Sequence, residues 1–330
     1  MAKLFDPLDI SNTAVHLRNR VVMPPMNMDD AGPDGIATTD VVEHYVARAE
    51  GGVGLVIVAA SYVREDGRLS PHQLGISGDH QLEGLRRLAH SIKEHGAAAA
   101  IQIHHAGGVA KPDNIGGPPI APSAGAFPNV PRDLTTAEIH GLVEAFAAAA
   151  GRAKAVGFDA VELHGAHGFL LTQFLSPATN HRTDAYGGDL EGRLRFALEC
   201  VQAIRKTAGA DYPLIVRINA QEDRPGGITL EDGCSTAQAL ADAGAHVIHV
   251  SGGLSSDAAR KPGYMVPLAE AVKRVVSVPV IAVGRLSDPV VANRVIEDGK
   301  ADLVAVGTQM LKQADWARAA ASALGQELRR

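Results

Sequence analysis

The sequence predicts a closed (β/α)8 TIM barrel, an α/β fold built as one domain over residues 1–330. Eight short apolar runs each lead into a helical pattern, and that alternation marks a parallel sheet with crossover helices. Eight is also the number of strands such a barrel closes with. The two over-long connections both follow strands, which puts them on the carboxyl face where barrel enzymes build their sites.

Residues 1–20 read as a turn-rich cover over the bottom of the barrel. The apolar runs are 21–26, 53–61, 97–105, 160–166, 213–219, 247–253, 279–285 and 303–308. Helices fit about 38–49, 79–95, 135–156, 190–208, 230–243, 266–276, 288–297 and 315–328. In 135–156, Thr135 or Thr136 caps, Glu138 and Glu144 precede an alanine-rich interior, and Gly157 ends the helix. Connections 106–134 and 167–189, after the third and fourth strands, exceed what a βα unit needs. The first carries Gly116-Gly117-Pro118-Pro119, which suits a formed rim loop. A doubly wound open sheet is the structural competitor, and Gly-x-Gly-x-x-Gly after the first strand would favour it. That place holds Met23-Pro24-Pro25-Met26-Asn27-Met28, which cannot cradle a pyrophosphate in that way.

The apolar fraction of 46% supports a large core, and a formal charge of −6 argues against a general nucleic-acid or anionic-membrane surface. Small-molecule chemistry fits better. Cys200 and Cys234 give neither a disulfide framework nor a cysteine metal site and read as free thiols. The start, Met-Ala-Lys-Leu-Phe-Asp-Pro, has no signal-peptide core, and no later apolar run reaches about 18 residues, so the expected setting is soluble and cytoplasmic.

Strand alternation indicates which side chains enter the barrel mouth. Gln102 and His104 share one face of their strand, Glu162 and His164 another, Arg217 and Asn219 a third. Buried without partners, such groups would be costly, so they need a polar ligand, water or each other. His164-Gly-Ala-His167 ends one strand and opens the loop after it, so both imidazoles converge on one point. The spacing also admits a zinc pair, but no third ligand is near and His-x-Glu and His-Glu-x-x-His patterns are missing, so no metal is expected. Two neutral imidazole donors aimed at one oxygen make an electrophilic site for negative charge developing on a carbonyl.

Residues 161–189, Val-Glu-Leu-His-Gly-Ala-His-Gly-Phe-Leu-Leu-Thr-Gln-Phe-Leu-Ser-Pro-Ala-Thr-Asn-His-Arg-Thr-Asp-Ala-Tyr-Gly-Gly-Asp, strongly resemble the Old Yellow Enzyme family of FMN-dependent ene reductases. Further resemblance runs the length of the chain: Arg20-Val-Val-Met-Pro-Pro-Met26, Ile101-Gln-Ile-His-His-Ala-Gly107, Val216-Arg-Ile218 and Pro262-Gly-Tyr-Met-Val-Pro267. The chain is most similar to the bacterial branch typified by the yellow enzyme of bacilli.

The resemblance implies FMN across the carboxyl mouth, reduced by NADPH or NADH, with an activated alkene as the second substrate. It puts Arg217 at the N1/O2 edge of the flavin, Gln102 at the pyrimidine edge, and Pro25, Met26 and Ala60 in backbone and apolar contact. Asn27 would face the flavin O4 side, where relatives carry Thr or Cys. Phosphate would fall to the loops of the last strands, at Gly253, Gly284, Arg285, Gly307 and Thr308. Thr308 stands where the family usually has arginine, which leaves Arg285 to supply the charge. His164 and His167 would hold the substrate carbonyl oxygen.

Some departures bear on the outcome. The family's proton donor is a tyrosine two residues after the second histidine, and here that residue is Phe169, which cannot donate. Tyr62, just after the second strand, is a candidate substitute at the rim, whereas Tyr186 and Tyr264 lie in family-like loop motifs and read as structural. Asp29 replaces a substrate-facing tyrosine, and Gly108 replaces an arginine. Three functions stay open: net ene reduction; isomerisation or desaturation, with Phe169 leaving the enolate unprotonated; and a barrel that binds ligand without turnover. A longer dienoyl-CoA reductase type is disfavoured because no cysteine follows Cys234. Some relatives complete a neighbour's site with a carboxyl-terminal arginine, so a homo-oligomer stays open, with Arg329 and Arg330 at this chain's end.

Overall fold

Short apolar runs build the barrel strands of this protein, and the computed structural model, which describes residues 1–252 and 261–328, closes the eight of them into one barrel. Strands β1 (Leu8–Asp9) and β2 (His16–Leu17) pair antiparallel ahead of it. The barrel strands are β3 (Val21–Met23), β4 (Leu55–Tyr62), β5 (Ala98–His104), β6 (Ala160–Gly165), β7 (Leu214–Asn219), β8 (Val247–Ser251), β9 (Val280–Ala282) and β10 (Leu303–Ala305). All are parallel to their neighbours, and β10 returns to pair with β3.

The helices are α1 (Thr39–Glu50), α2 (Leu82–Glu94), α3 (Pro112–Ile115), α4 (Thr136–Ala155), α5 (Leu170–Leu175), α6 (Leu190–Ala208), α7 (Leu230–Asp242), α8 (Val266–Lys273), α9 (Pro289–Glu297), α10 (Thr308–Lys312) and α11 (Trp316–Leu324). Their starts follow side-chain chemistry. Thr135 accepts from the Glu138 amide while Glu138 reaches back to it, Thr229 and Asp232 repeat the arrangement at α7, and Asp189 caps α6. Each expected helix is present, whereas α3, α5 and α10 fall within segments read as loop or strand end. Helix α5, Leu-Leu-Thr-Gln-Phe-Leu, is buried on every side and so has no amphipathic period to read. Among the described residues, no helix is long and apolar enough to cross a membrane.

Alternation sorts the strand residues into two sets. Ile101, Ile103, Val161, Leu163, Val216, Ile218, Ile248 and Val250 face outward and pack with the helices. Leu55, Ile57, Ala100, Ala160, Ile215, Val247, Ile281 and Leu303 form an inner lower layer, and Ile10 and Leu17 of the N-terminal hairpin join it from below. The cover expected at residues 1–20 is therefore an apolar plug. Above it the inner face turns polar.

The two long connections are stitched together. The Gln173 amide nitrogen donates to the Ala106 carbonyl at 3.1 Å, and its oxygen accepts from the Gly108 amide at 3.0 Å. Arg182 donates to the Pro122 and Leu134 carbonyls, and the His181 amide donates to the Ser123 hydroxyl.

Candidate active site

The polar upper layer is buried and self-paired. The Gln102 amide nitrogen donates to Glu162 Oε1 at 2.7 Å, and His249 Nδ1 meets Glu162 Oε2 at 2.7 Å, all three residues having almost no exposed surface. A buried carboxylate stands only with such donors. His249 was not singled out in the sequence reading. It shares a face of β8 with Ser251, and the alternation applied to the other strands would have found both.

Strand register then sets the neighbours, with His164 opposite Arg217 and Arg217 opposite His249. Arg217 is buried, and its Nε has no hydrogen-bond partner. Burial pulls its guanidinium below the usual range, with Glu162 and Tyr264 opposing. A buried, under-satisfied cation at the mouth is a ready partner for an anionic or acceptor edge.

His164 and His167 meet as expected: His167 Nδ1 lies 3.4 Å from His164 Nε2, with the rings edge to face. The Ala166 amide donates to His164 Nδ1 at 3.3 Å, and His167 Nε2 lies 2.9 Å from the Ser251 hydroxyl. His167 takes a left-handed backbone angle, φ 60°, held by its amide donating to Asn219 Oδ1 at 3.1 Å. Burial, then repulsion with His167, His104, Arg217 and His249, holds the His164 imidazole well below its ordinary value. Burial, then repulsion with Arg217, His249 and His104, also lowers His167 well below its ordinary value, although part of the residue reaches solvent.

Phe169 sits among imidazoles, with ring centroids 4.4 Å from His104 and 4.9 Å from His164. His104 is fully buried with both nitrogens unpaired, and burial followed by His105 pushes it down to about 3. His44 is held near 4 by burial and Arg48. The unfolded chain titrates these groups near 6.5 and so binds more protons than the folded protein below that pH. Stability therefore declines as pH falls from 6.5 toward the folded values. A urea midpoint lower at about pH 5 than at pH 7, with a smaller drop in His104→Phe, is the expected result. Equal midpoints would contradict it.

Beside Arg217 opens a cavity of about 500 Å³, walled by Pro24, Met26, Tyr264, Gly284, Arg285, Gly307, Thr308 and Lys312 among others. The histidine pair lies across Arg217 from it. A Cβ on Gly307 would come within 2.8 Å of Met26 Sδ and 3.2 Å of Pro24, so a larger residue here would crowd this cradle. Arg285 is exposed at φ 52° and Gly284 has φ 117°, a sharp turn that presents backbone to the cavity. Pro25 is half-buried outside this wall, and the Ala60 carbonyl is occupied by the Gln73 amide. Asn27 is exposed just beyond Met26. Gly253, Arg329 and Arg330 lie outside the described residues.

Residues for FMN fit together here: an orphaned Arg217 Nε, a Gln102 whose oxygen is left as acceptor, and a glycine-lined, cationic cavity for the phosphate. Among the described residues, no group of three or more His, Cys, Asp or Glu is arranged to hold a metal.

Tyr62 needs correcting. It has no exposed surface, and its hydroxyl contacts Arg68 Nη2 at 2.8 Å and Gln81 Nε2 at 3.1 Å beneath Gly35 and Gly75, so it packs the structure and offers nothing to a substrate at the rim. Tyr62→Phe is expected to cost about 1 kcal/mol of stability, through unpairing those donors, and to leave turnover unchanged; thermal melts and steady-state kinetics check both. Asp29, at φ 54°, accepts from the His72 amide at 2.9 Å and so braces two loops. Gly108 meets Phe127, since a Cβ there would lie 2.5 Å from the ring, and an arginine side chain has no room.

The sequence pattern of the "NADH:flavin oxidoreductase / NADH oxidase family" matches residues 3–327. An NADPH dehydrogenase of Geobacillus sp. (strain WCH70) is 41% identical, covering 98% of this chain and 94% of the relative. An NADH oxidase of Thermoanaerobacter brockii is also 41% identical over 99% of this chain, which spans about half, 52%, of that longer protein. The Old Yellow Enzyme homologue of Zymomonas mobilis superposes with a TM-score of 0.87 at 25% identity, covering 100% of this chain and 94% of that one. The barrel, the flavin-compatible mouth and these likenesses agree, and the chain belongs to the NADH:flavin oxidoreductase / NADH oxidase family, in the bacillus-like branch of the FMN- and NAD(P)H-dependent Old Yellow Enzymes.

Proposed function

We propose that this protein is an ene reductase, reducing the activated C=C bond of α,β-unsaturated carbonyl compounds at the expense of NADH or NADPH. The observation that carries the reading is the pairing of His164 and His167 at the mouth beside Arg217, whose Nε is unpartnered. Bound FMN supplies the two-electron chemistry that links the nicotinamide to the alkene.

The chain's own residues do the rest. Arg217 would hold the flavin's electron-rich edge, with Gln102 accepting from its pyrimidine ring and Met26 and Gly307 shaping the cavity for its tail. His164 and His167 are neutral, so they can act as N–H donors to the carbonyl oxygen and stabilise enolate charge; single donors of this kind contribute about 2.7 to 4 kcal/mol. Phe169 offers a hydrophobic wall and no proton. That favours a second reading, in which the hydride returns and the double bond ends up shifted, so the net reaction is isomerisation, or desaturation where an external two-electron acceptor reoxidises the enzyme.

Anaerobic incubation with NADPH, or NADH, and cyclohexenone separates the two. Saturated ketone supports ene reduction; shifted isomers without net reduction support the second reading. Protein that neither retains FMN nor turns over either compound sinks both.

A further inference from the structure

The hydrogen bonds around the histidine pair have only one consistent polarity. A backbone amide can only donate, so His164 Nδ1, 3.3 Å from the Ala166 amide, carries a lone pair and the ring's proton sits on Nε2. That Nε2–H points at His167 Nδ1, 3.4 Å away, which must then accept. A proton on each of these facing nitrogens would be repulsive, so His167 carries its proton on Nε2, 2.9 Å from Ser251 Oγ, which accepts it. The chain runs from Ala166 through His164 and His167 to Ser251.

This polarity is wrong for gripping an oxygen with both rings. His164 can redirect its Nε2–H, because a 3.4 Å bond is long and weak. His167 instead shows a lone pair on the nitrogen that faces its partner, and a carbonyl or phenolate oxygen placed between the rings would be repelled. Two donors exist only if His167 moves its proton to Nδ1, and Nε2 then needs a donor. Ser251 Oγ is the group in contact, it is buried, and a hydroxyl both accepts and donates by rotating about its own bond. The Ser251 backbone is fixed by the Ala220 amide donating to its carbonyl at 2.9 Å, and His167 is fixed by Asn219.

We propose that Ser251 is a positioning residue that selects the tautomer of His167: its hydroxyl accepts from Nε2–H before ligand arrives and donates to Nε2 once an oxygen is bound. One N–H bond breaks at Nε2 and one forms at Nδ1. The ring stays neutral, and the proton exchanges through the solvent that reaches His167. The proposal rests on the reading of the histidine pair as the oxygen-binding site.

The test uses FMN-loaded protein with nitrogen-15-labelled histidine, and phenol as the probe. Long-range proton–nitrogen NMR reads the tautomer directly. His167 is expected as Nε2–H in the free protein and Nδ1–H with phenol bound. Ser251→Ala should weaken phenol roughly tenfold, the loss of one hydrogen bond to the positioned ring, and Ser251→Thr, which keeps the hydroxyl, should restore it. A charge-transfer band on phenol binding with His167 still Nε2–H overturns the proposal and leaves the oxygen-binding reading intact. Unchanged phenol affinity in Ser251→Ala also overturns it. No charge-transfer band and no histidine shift overturn both together.

Discussion

His164→Ala lowers the rate at which reduced enzyme converts cyclohexenone by about 10²- to 10³-fold, the size of effect seen when one preorganised donor to a developing oxyanion is removed. The reason is geometric. His164 presents the one Nε2–H in the pair that is not already committed to a short bond, so its loss leaves an entering oxygen with His167 alone. Flavin retention should be largely kept, since the glycine-lined cavity is walled by residues other than His164 and Arg217 stays in place on its own strand. Stopped-flow reoxidation of reduced enzyme measures the rate, and a loss below about tenfold would place the oxygen elsewhere.

Phe169→Tyr supplies a proton donor where the protein has none, and a positioned general acid contributes about 10²- to 10⁴-fold. The ring already sits 4.4 Å from His104 and 4.9 Å from His164, so the added hydroxyl is carried on a ring packed against the histidines. Saturated ketone formation is expected to rise by that factor if enolate protonation limits the parent, and solvent deuterium should appear at the α carbon. Equal product yields in parent and variant would mean that water protonates the enolate fast enough unaided.

How far the site could be read from the sequence follows from what alternation can and cannot carry. The eight strands were legible because each has an apolar outer face that must meet a helix, and the inner placement of Gln102, His164 and Arg217 followed from the same two-residue period. Partners across strands were not legible. The contact of Glu162 with His249, two strands away, and that of His167, past the end of its strand, with Ser251 depend on how the strands are arranged around the barrel, which no single strand's pattern records. Tyr62 was expected just past the second strand at the rim, but β4 runs through it, pairing it with His104, and a bridge to Gly75 covers it. Between Val58 and Ser61, β4 uses three steps where β5 uses two from Ile101 to Ile103, and a bulge of this kind extends the strand by a residue that a plain two-residue period does not count. The short helix α5 escaped because burial on all sides erases periodicity.

The stitching of 106–134 to 167–189 by Gln173, Arg182 and Ser123 has a kinetic meaning. Neither segment can lift without stripping buried hydrogen bonds from the other, so the two behave as a single shutter with one opening free energy, and their protected amides should exchange hydrogen at one common rate.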